Sequence, residues 1–327
     1  MQLLEWTDKA PWDEYVAGHA WGHPLQLWGW GEVKRSSRWV PHRLVLMDGE
    51  AWVGAVQVLL WPIPRMGRFI AYVPRGPVVE PEHAAELLRA LQAWAREQNA
   101  LYLRVEPAWT KAIRPKGWMQ GRHSVQLAQT YTIDLAKSED ELLEPMARKH
   151  RQYIRKAERD GVSIGRETAG DLAAMYELYQ ETARRAGFGI HGREYYEGLL
   201  RELGERNYLY YARYEGRPVA FLWLAAAGPV AYELYGGVNE TGQEQKANYL
   251  LKWRAMTDMK ALGCRVYDFN GRLNEGVSQF KQGFGPDETD YVGTWDYSLS
   301  RAGYLVWEHL WPVVKAVGRR MAKRRPT

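Results

Sequence analysis

A chain of 327 residues with 46% apolar side chains is long enough for two domains and can bury a substantial core, which excludes a disulfide-stapled miniprotein and an intrinsically disordered chain. A single cysteine, Cys264, excludes an internal disulfide and reads as a small buried apolar residue of a protein that is kept in a reducing compartment or is indifferent to redox state. The net charge of +5 is concentrated, because residues 315–327 hold six of the 44 Lys and Arg and no acid, leaving the rest of the chain close to neutral.

The first residues lack a basic stretch followed by an apolar one, so no signal peptide is predicted. The apolar run 219–227 is about half the ~20 residues that a spanning helix needs. A cytoplasmic protein follows. Its basic tail, entered through the aromatic stretch 304–311, is suited to docking on an anionic membrane face or a phosphate backbone.

Along the chain, 42–46 reads as a strand, Asp48-Gly49 as a hairpin turn and 52–60 as the returning strand. A strand at 69–73 ends in Pro74-Arg75-Gly76-Pro77. The spacing of Leu87, Leu88, Leu91, Trp94 and Ala95 behind Pro81 predicts a helix over 81–98, and a strand over 101–105 closes at Glu106. One helix is predicted over 139–161, with Glu139 and Asp140 at its start and Gly161 as its stop, and further helices over 171–186 and 193–203.

The first order of elements then recurs. A hairpin (208–214 and 219–226) turns at Glu215-Gly216; a strand (230–234), a helix (245–262) and a closing strand (265–269) carrying Asp268 follow. The repetition predicts duplication. Each unit is expected to be α/β (α+β), with mixed, largely antiparallel sheets flanked by helices. The first unit spans 1–134, with 296–327 packing on it; the second spans 135–295.

Several stretches resemble the FemABX family of non-ribosomal peptidyl- and aminoacyltransferases. They are His23-Pro24-Leu25-Gln26 with Trp28, Trp30 and Lys34; Tyr72-Val73-Pro74-Arg75-Gly76-Pro77; residues 151–158; Tyr267-Asp268-Phe269-Asn270-Gly271; and Phe280-Lys281-Gln282-Gly283-Phe284-Gly285 followed by Gly293-Thr294-Trp295. The resemblance runs in family order over nearly the whole chain. It implies two tandem GNAT-like (N-acyltransferase-like) domains. It also implies transfer of an amino acid (Gly, Ala or Ser) from aminoacyl-tRNA to the stem-peptide amine of UDP-MurNAc-pentapeptide or lipid II, in interpeptide bridge formation, with no cofactor. The interval 171–203 is too short for the helical arm of some members, so the chain resembles the compact, FemX-like ones.

Aminolysis of an ester passes through a tetrahedral oxyanion, which a well-placed cation stabilises. Lys281 sits between Phe280 and Phe284 in a glycine-bearing segment, where rings lower the dielectric and glycines admit a ligand. The resemblance places Lys281 and Phe280 at the reaction centre. Glu106, through a looser resemblance, is the expected base, with Asp268 as its counterpart in the second unit. The resemblance also points to Lys34, Arg193 and Tyr196 as partners for a nucleotide-sugar diphosphate. Arg75, Tyr232, Tyr235, Asp268 and Asn270 are further substrate-binding candidates from their turn and strand positions. Arg148, Arg151, Arg155 and Arg159 recur at three- or four-residue spacing on one helix face suited to a tRNA backbone.

No zinc spacing, phosphate-loop or dinucleotide motif is present, and 243–248 is too bulky and charged for the pyrophosphate loop of acetyl-CoA-dependent enzymes. Two rivals stand beside this reading. One is a GNAT-like enzyme acting on another amine with an acyl-CoA or other donor; the other is a non-catalytic membrane- or RNA-binding adaptor on the same scaffold.

Overall fold

The computed structural model describes residues 1–111, 113, 115–167, 172–272 and 275–310. The tail 315–327, expected to bind an anionic surface, lies outside them.

The chain begins with β1 (Gln2–Glu5), α1 (Lys9–Gly18) and α2 (Trp28–Arg35). The predicted hairpin is β2 (Val40–Asp48) and β3 (Ala51–Ile63), joined through Gly49, whose φ of 58° is the left-handed conformation such a turn needs. Next come β4 (Arg68–Arg75), β5 (Val78–Val79), α3 (Pro81–Glu97), β6 (Ala100–Pro107) and β7 (Met119–Gln120). Pro81 opens α3, and Ala84, Leu87, Leu88, Leu91 and Ala95 bury one face of it against the sheet.

The second half contains β8 (Gln129–Asp134), α4 (Glu139–Leu143), α5 (Arg148–Arg159), β9 (Ser163–Glu167), α6 (Leu172–Ala186) and α7 (Arg193–Leu203). It continues with β10 (Asn207–Tyr214), β11 (Arg217–Ala227), β12 (Val230–Val238), α8 (Glu240–Glu244), α9 (Ala247–Ala261), β13 (Val266–Asp268), α10 (Glu275–Gln282) and β14 (Asp287–Asp290). The described residues end with β15 (Trp295–Ser298), α11 (Arg301–Leu305) and one wider turn, Val306–Leu310.

The expected repeat is built twice. One sheet runs β1-β2-β3-β4-β6-β15-β7 and the other β14-β8-β13-β12-β11-β10-β9. In each, an antiparallel meander is followed by a helix and a parallel strand pair, β4–β6 in the first and β12–β13 in the second.

Three local expectations change. Helix 139–161 is two helices, because Pro145 lacks the N–H that a continuous helix needs; a Ser138–Glu141 capping box starts the first. The boundary after residue 134 comes one strand late, since β8 pairs with β13 and β14 of the second sheet. Conversely, Trp295 opens β15, which pairs with β6 of the first.

The lobes share a core. Trp12, Val16, Leu25, Trp30 and Val33 from the first pack with Tyr196, Leu199, Leu209, Phe221 and Trp223 from the second in one cluster. At Gly29 the helices α2 and α7 come so close that a Cβ would lie 2.1 Å from the Glu202 carbonyl oxygen. The end of the described chain is tied to the first sheet by a buried ionic cluster. Arg104 holds Asp296 through two hydrogen bonds (2.8 and 2.7 Å) and reaches Glu308 (2.9 Å), while the Tyr304 hydroxyl donates to Asp296 (2.9 Å). No helix among the described residues is long and apolar enough to cross a membrane.

Candidate active site

The paired motifs of the first lobe meet in space. His23-Pro24-Leu25-Gln26 forms a short turn, and the Gln26 side-chain amide donates to the carbonyl of Pro74 (2.6 Å) while its oxygen accepts from the Gln57 backbone N–H (2.7 Å). This packing fixes the end of β4. Arg75 there has a φ of 55°, unusual for a residue with a Cβ, and is only 3% exposed. Its guanidinium donates to the Leu127 carbonyl (2.8 Å) and lies 4.4 Å from the centre of the Tyr291 ring.

Across from Arg75 stands Asp268, at the end of β13. Asp268 accepts hydrogen bonds from Thr130 Oγ1 (2.5 Å), the Tyr291 hydroxyl (2.5 Å) and the Asn270 N–H (2.6 Å). Burial pushes its carboxyl pKa up, against those hydrogen bonds and the Arg75 charge. Asn270, at φ 52°, thus acts through its backbone at the strand end. Tyr232 is also inside: its hydroxyl donates to the Gly22 carbonyl (3.3 Å) and its ring lies 4.2 Å from that of His23, which burial and Arg75 keep neutral.

Glu106 is not placed as a base. Its carboxylate accepts from the Tyr72 hydroxyl (2.6 Å), Thr294 Oγ1 (2.7 Å) and the N–H groups of Val125 (2.7 Å) and Gln126 (2.9 Å), two donors to each oxygen. With both oxygens so occupied, it fastens the 121–127 segment and Thr294 to the end of β6 rather than receiving a proton.

Lys281 lies on the other face of the second sheet, near the end of α10, and is 6% exposed. Its Nζ donates to the carbonyls of Phe269 (2.8 Å) and Gly271 (2.7 Å), just past β13. An ammonium has three N–H bonds, so two set its direction and one remains. Burial lowers the Lys281 pKa to about 8, with Glu233 and Asp268 opposing and Lys252 assisting. The expected aromatic flanks serve differently. Phe280 and Phe284 pack on each other (5.4 Å) and on the His150 ring (5.8 and 4.9 Å), and Phe280 is half-buried. The glycines are likewise explained by packing: a Cβ on Gly283 would meet the His150 ring at 1.9 Å, and one on Gly285 would meet Pro145 at 2.8 Å. They admit α5 and the α4–α5 corner, not a ligand.

The third group joins the lobes. Lys34 of α2 donates to the Tyr195 hydroxyl of α7 (2.8 Å), with its Nζ 4.6 Å from the Trp30 ring centre. Burial lowers the Lys34 pKa to about 8. His191 stacks on Tyr195 (4.0 Å, 24°), and the hydroxyls of Tyr195 and Tyr235 hydrogen-bond to each other. Tyr196 is a core residue here, 1% exposed, its hydroxyl accepting from the His191 N–H (3.2 Å). Arg193 is exposed and paired with Glu197 (2.8 Å). Sequence reasoning chose Tyr196 and missed its neighbour Tyr195, although α7 turns both inward.

On α5 the face His150, Ile154 and Ala157 is buried, which leaves Arg148, Arg155 and Arg159 exposed. Arg151 separates from that row: its guanidinium caps the carbonyls of Leu143 (2.9 Å), Glu144 (3.2 Å) and Met146 at the α4–α5 corner.

Two family models divide the chain between them, the FemAB family over residues 7–118 and an acetyltransferase (GNAT) domain over residues 146–282. Lipid II:glycine glycyltransferase of Staphylococcus saprophyticus is 21% identical over 402 aligned positions, covering 95% of this chain and 96% of the relative. That of Staphylococcus aureus is 23% identical over 395 positions, covering 92% and 94%. The chain is similar to the FemAB family over its first lobe and to these glycyltransferases along nearly its whole length. A crystal structure of FemX superimposes with a TM-score of 0.84 at 20% identity, over 94% of this chain and all of that one. A tandem GNAT protein of the clavulanic acid pathway shares the fold more loosely, with a TM-score of 0.54 at 16% identity over 91% of this chain and 98% of that one. Both staphylococcal alignments are longer than this chain, so those relatives carry inserted residues that it lacks, in keeping with the compact architecture expected. Like the FemX and tandem GNAT structures, the chain is built on two GNAT-like lobes.

Proposed function

We propose that this chain is an aminoacyltransferase of peptidoglycan interpeptide bridge formation, which passes an amino acid from aminoacyl-tRNA to the stem-peptide amine of UDP-MurNAc-pentapeptide or lipid II. The observation that carries the reading is the end-to-end match with two proteins named as lipid II:glycine glycyltransferases. The geometry supports it: a buried ammonium is aimed by two carbonyls and has one N–H to spare.

The amine attacks the ester carbonyl, and the oxyanion that forms meets Lys281. As the intermediate collapses, the carbon–oxygen bond to the ribose breaks and an amide remains. The three oxygen-bound donors on Asp268 and the four on Glu106 leave neither carboxylate suited to take the amine proton, so it passes to the departing ribose oxygen or to water. Lys34, with Tyr195 and Tyr235, supplies a cation and hydroxyls suited to a diphosphate where the lobes meet.

The segment where GNAT enzymes wrap a pyrophosphate favours a tRNA-borne donor over acyl-CoA. Here α8 fills it, packed so that a Cβ on Gly242 would lie 2.4 Å from the Val219 carbonyl oxygen, and Lys246 precedes α9 in a left-handed conformation. Charged tRNA incubated with the nucleotide-linked or lipid-linked pentapeptide should give a product heavier by one aminoacyl residue. A product that needs acyl-CoA and forms without tRNA would overturn the reading.

A further inference from the structure

Charged residues seldom sit in the middle of a buried strand or on the inward face of a core helix unless they are paired. Glu233 of β12 and Lys252 of α9 do both, at 9% and 5% exposure. Glu233 Oε1 accepts from Lys252 Nζ and from the Tyr267 hydroxyl (2.5 Å). Lys252 Nζ in turn lies 5.0 Å from the Phe269 ring centre and 5.7 Å from that of Phe280. Those two residues frame Lys281: Phe269 accepts one of its hydrogen bonds and Phe280 precedes it in the chain. One carboxylate therefore stands among two buried ammonium groups. An apolar pair of equal volume commonly stabilises a core as well as a buried ion pair does, so stability alone does not account for it.

The other groups around Lys281 divide by charge. His150 of α5 meets the Phe280 carbonyl (3.0 Å), and burial lowers its pKa; burial raises those of Tyr249 on α9 and Tyr267 on β13. These stay neutral near pH 7. Tyr131 of β8 accepts from Gln282 (2.8 Å) and lies under the Arg272 guanidinium, which pairs outward with Glu288. Asp268 occupies the opposite face of β13 with its own three donors. Glu233 is thus the carboxylate on Lys281's side of the sheet.

We propose that Glu233, held by Lys252 and Tyr267, is the positioning counterion that keeps Lys281 protonated at the reaction centre, and that Lys252 limits how strongly it does so. The arrangement has a physical logic. A carboxylate bonded directly to Lys281 would hold its charge but cancel its field at the oxyanion. One bonded instead to a neighbouring lysine favours the protonated form and leaves the remaining N–H free for substrate. The proposal rests on the reading of Lys281 as the cation that meets the oxyanion.

The test titrates Lys281 directly, by NMR of protein with 13C-labelled lysine side chains, the signal being assigned by its loss in Lys281→Met. Glu233→Gln should lower the Lys281 midpoint by about one pH unit or more, and Lys252→Met should raise it by about one, opposite directions that a merely structural pair would not produce. The alkaline limb of kcat should move the same way in each variant, with KM for the acceptor little changed. If Glu233→Gln does not fold, Lys252→Met decides alone: a rise supports the proposal, and no change or a fall overturns it. Shifts in the same direction for both variants overturn it as well. Midpoints that move as expected while the rate ignores them would uphold the counterion and sink the assignment of Lys281 to the reaction.

Discussion

Lys281 combines a fixed direction with a depressed pKa, and each has a measurable consequence. Lys281→Met removes the charge but keeps most of the apolar stem, so the variant should fold, bind the precursor and lose at least ~100-fold in kcat, as removal of one oxyanion donor does. Turnover close to that of the parent would locate the chemistry elsewhere. The pKa of about 8 also predicts an alkaline limb in kcat near that pH. Stability runs the opposite way. Below about pH 8 both folded and unfolded chains carry the proton, and the folded one bears the burial penalty. Between about 8 and the ~10.4 of a free lysine the unfolded chain binds more protons, so this group's contribution to stability rises with pH. Lost activity without unfolding above pH 8, by rate and circular dichroism on the same samples, is the expected result. Lys34 titrates in the same range, and since it is the proposed diphosphate partner, its neutralisation should appear in KM rather than kcat.

At the scale of elements, α2 and α7 carry Lys34 and Tyr195, and their separation is set by Gly29. A methyl there would sit 2.1 Å from a backbone oxygen, so Gly29→Ala must push the helices apart. Melting should show a loss of roughly 2 kcal/mol or more, and KM for a nucleotide-linked acceptor should rise more than kcat falls. An unchanged melting temperature would mean that the helices yield freely. The closing segment after β15 depends on Arg104. Arg104→Ala leaves Asp296 and Glu308 buried without a counter-charge, and a loss of about 3–5 kcal/mol is expected from denaturant melts.

For the whole molecule, the shared core makes the two lobes one cooperative unit. Trp223→Ala empties the cluster that unites them, and it should cost about 3–5 kcal/mol while unfolding remains a single transition across both lobes. Two separated transitions would show lobes that fold alone. The exposed Leu305 and Val306 lead toward the basic residues 315–327. Removal of that tail should weaken binding to anionic vesicles far more than transfer to a soluble precursor, and equal vesicle binding would dismiss a membrane role for it.

Periodicity and punctuation alone determined the doubled order of strands and helices, because hairpin turns, Pro81 and the apolar spacing of α3 act within a few residues of one another. The family resemblance of their motifs singled out Lys281 and Lys34, and the rigid Pro-Arg-Gly-Pro turn singled out Arg75. What each motif does was decided only by packing between distant segments. Glu106 became a fastening point because donors from residues 72, 125, 126 and 294 converge on it, and the glycines of 283 and 285 proved to accommodate α5 and the corner that leads into it. Glu233 and Lys252 stand out in sequence as charges within apolar runs. That they share one hydrogen bond beside Lys281 depends on β12 and α9 lying against each other, a relation set by the tertiary fold and not by any local spacing.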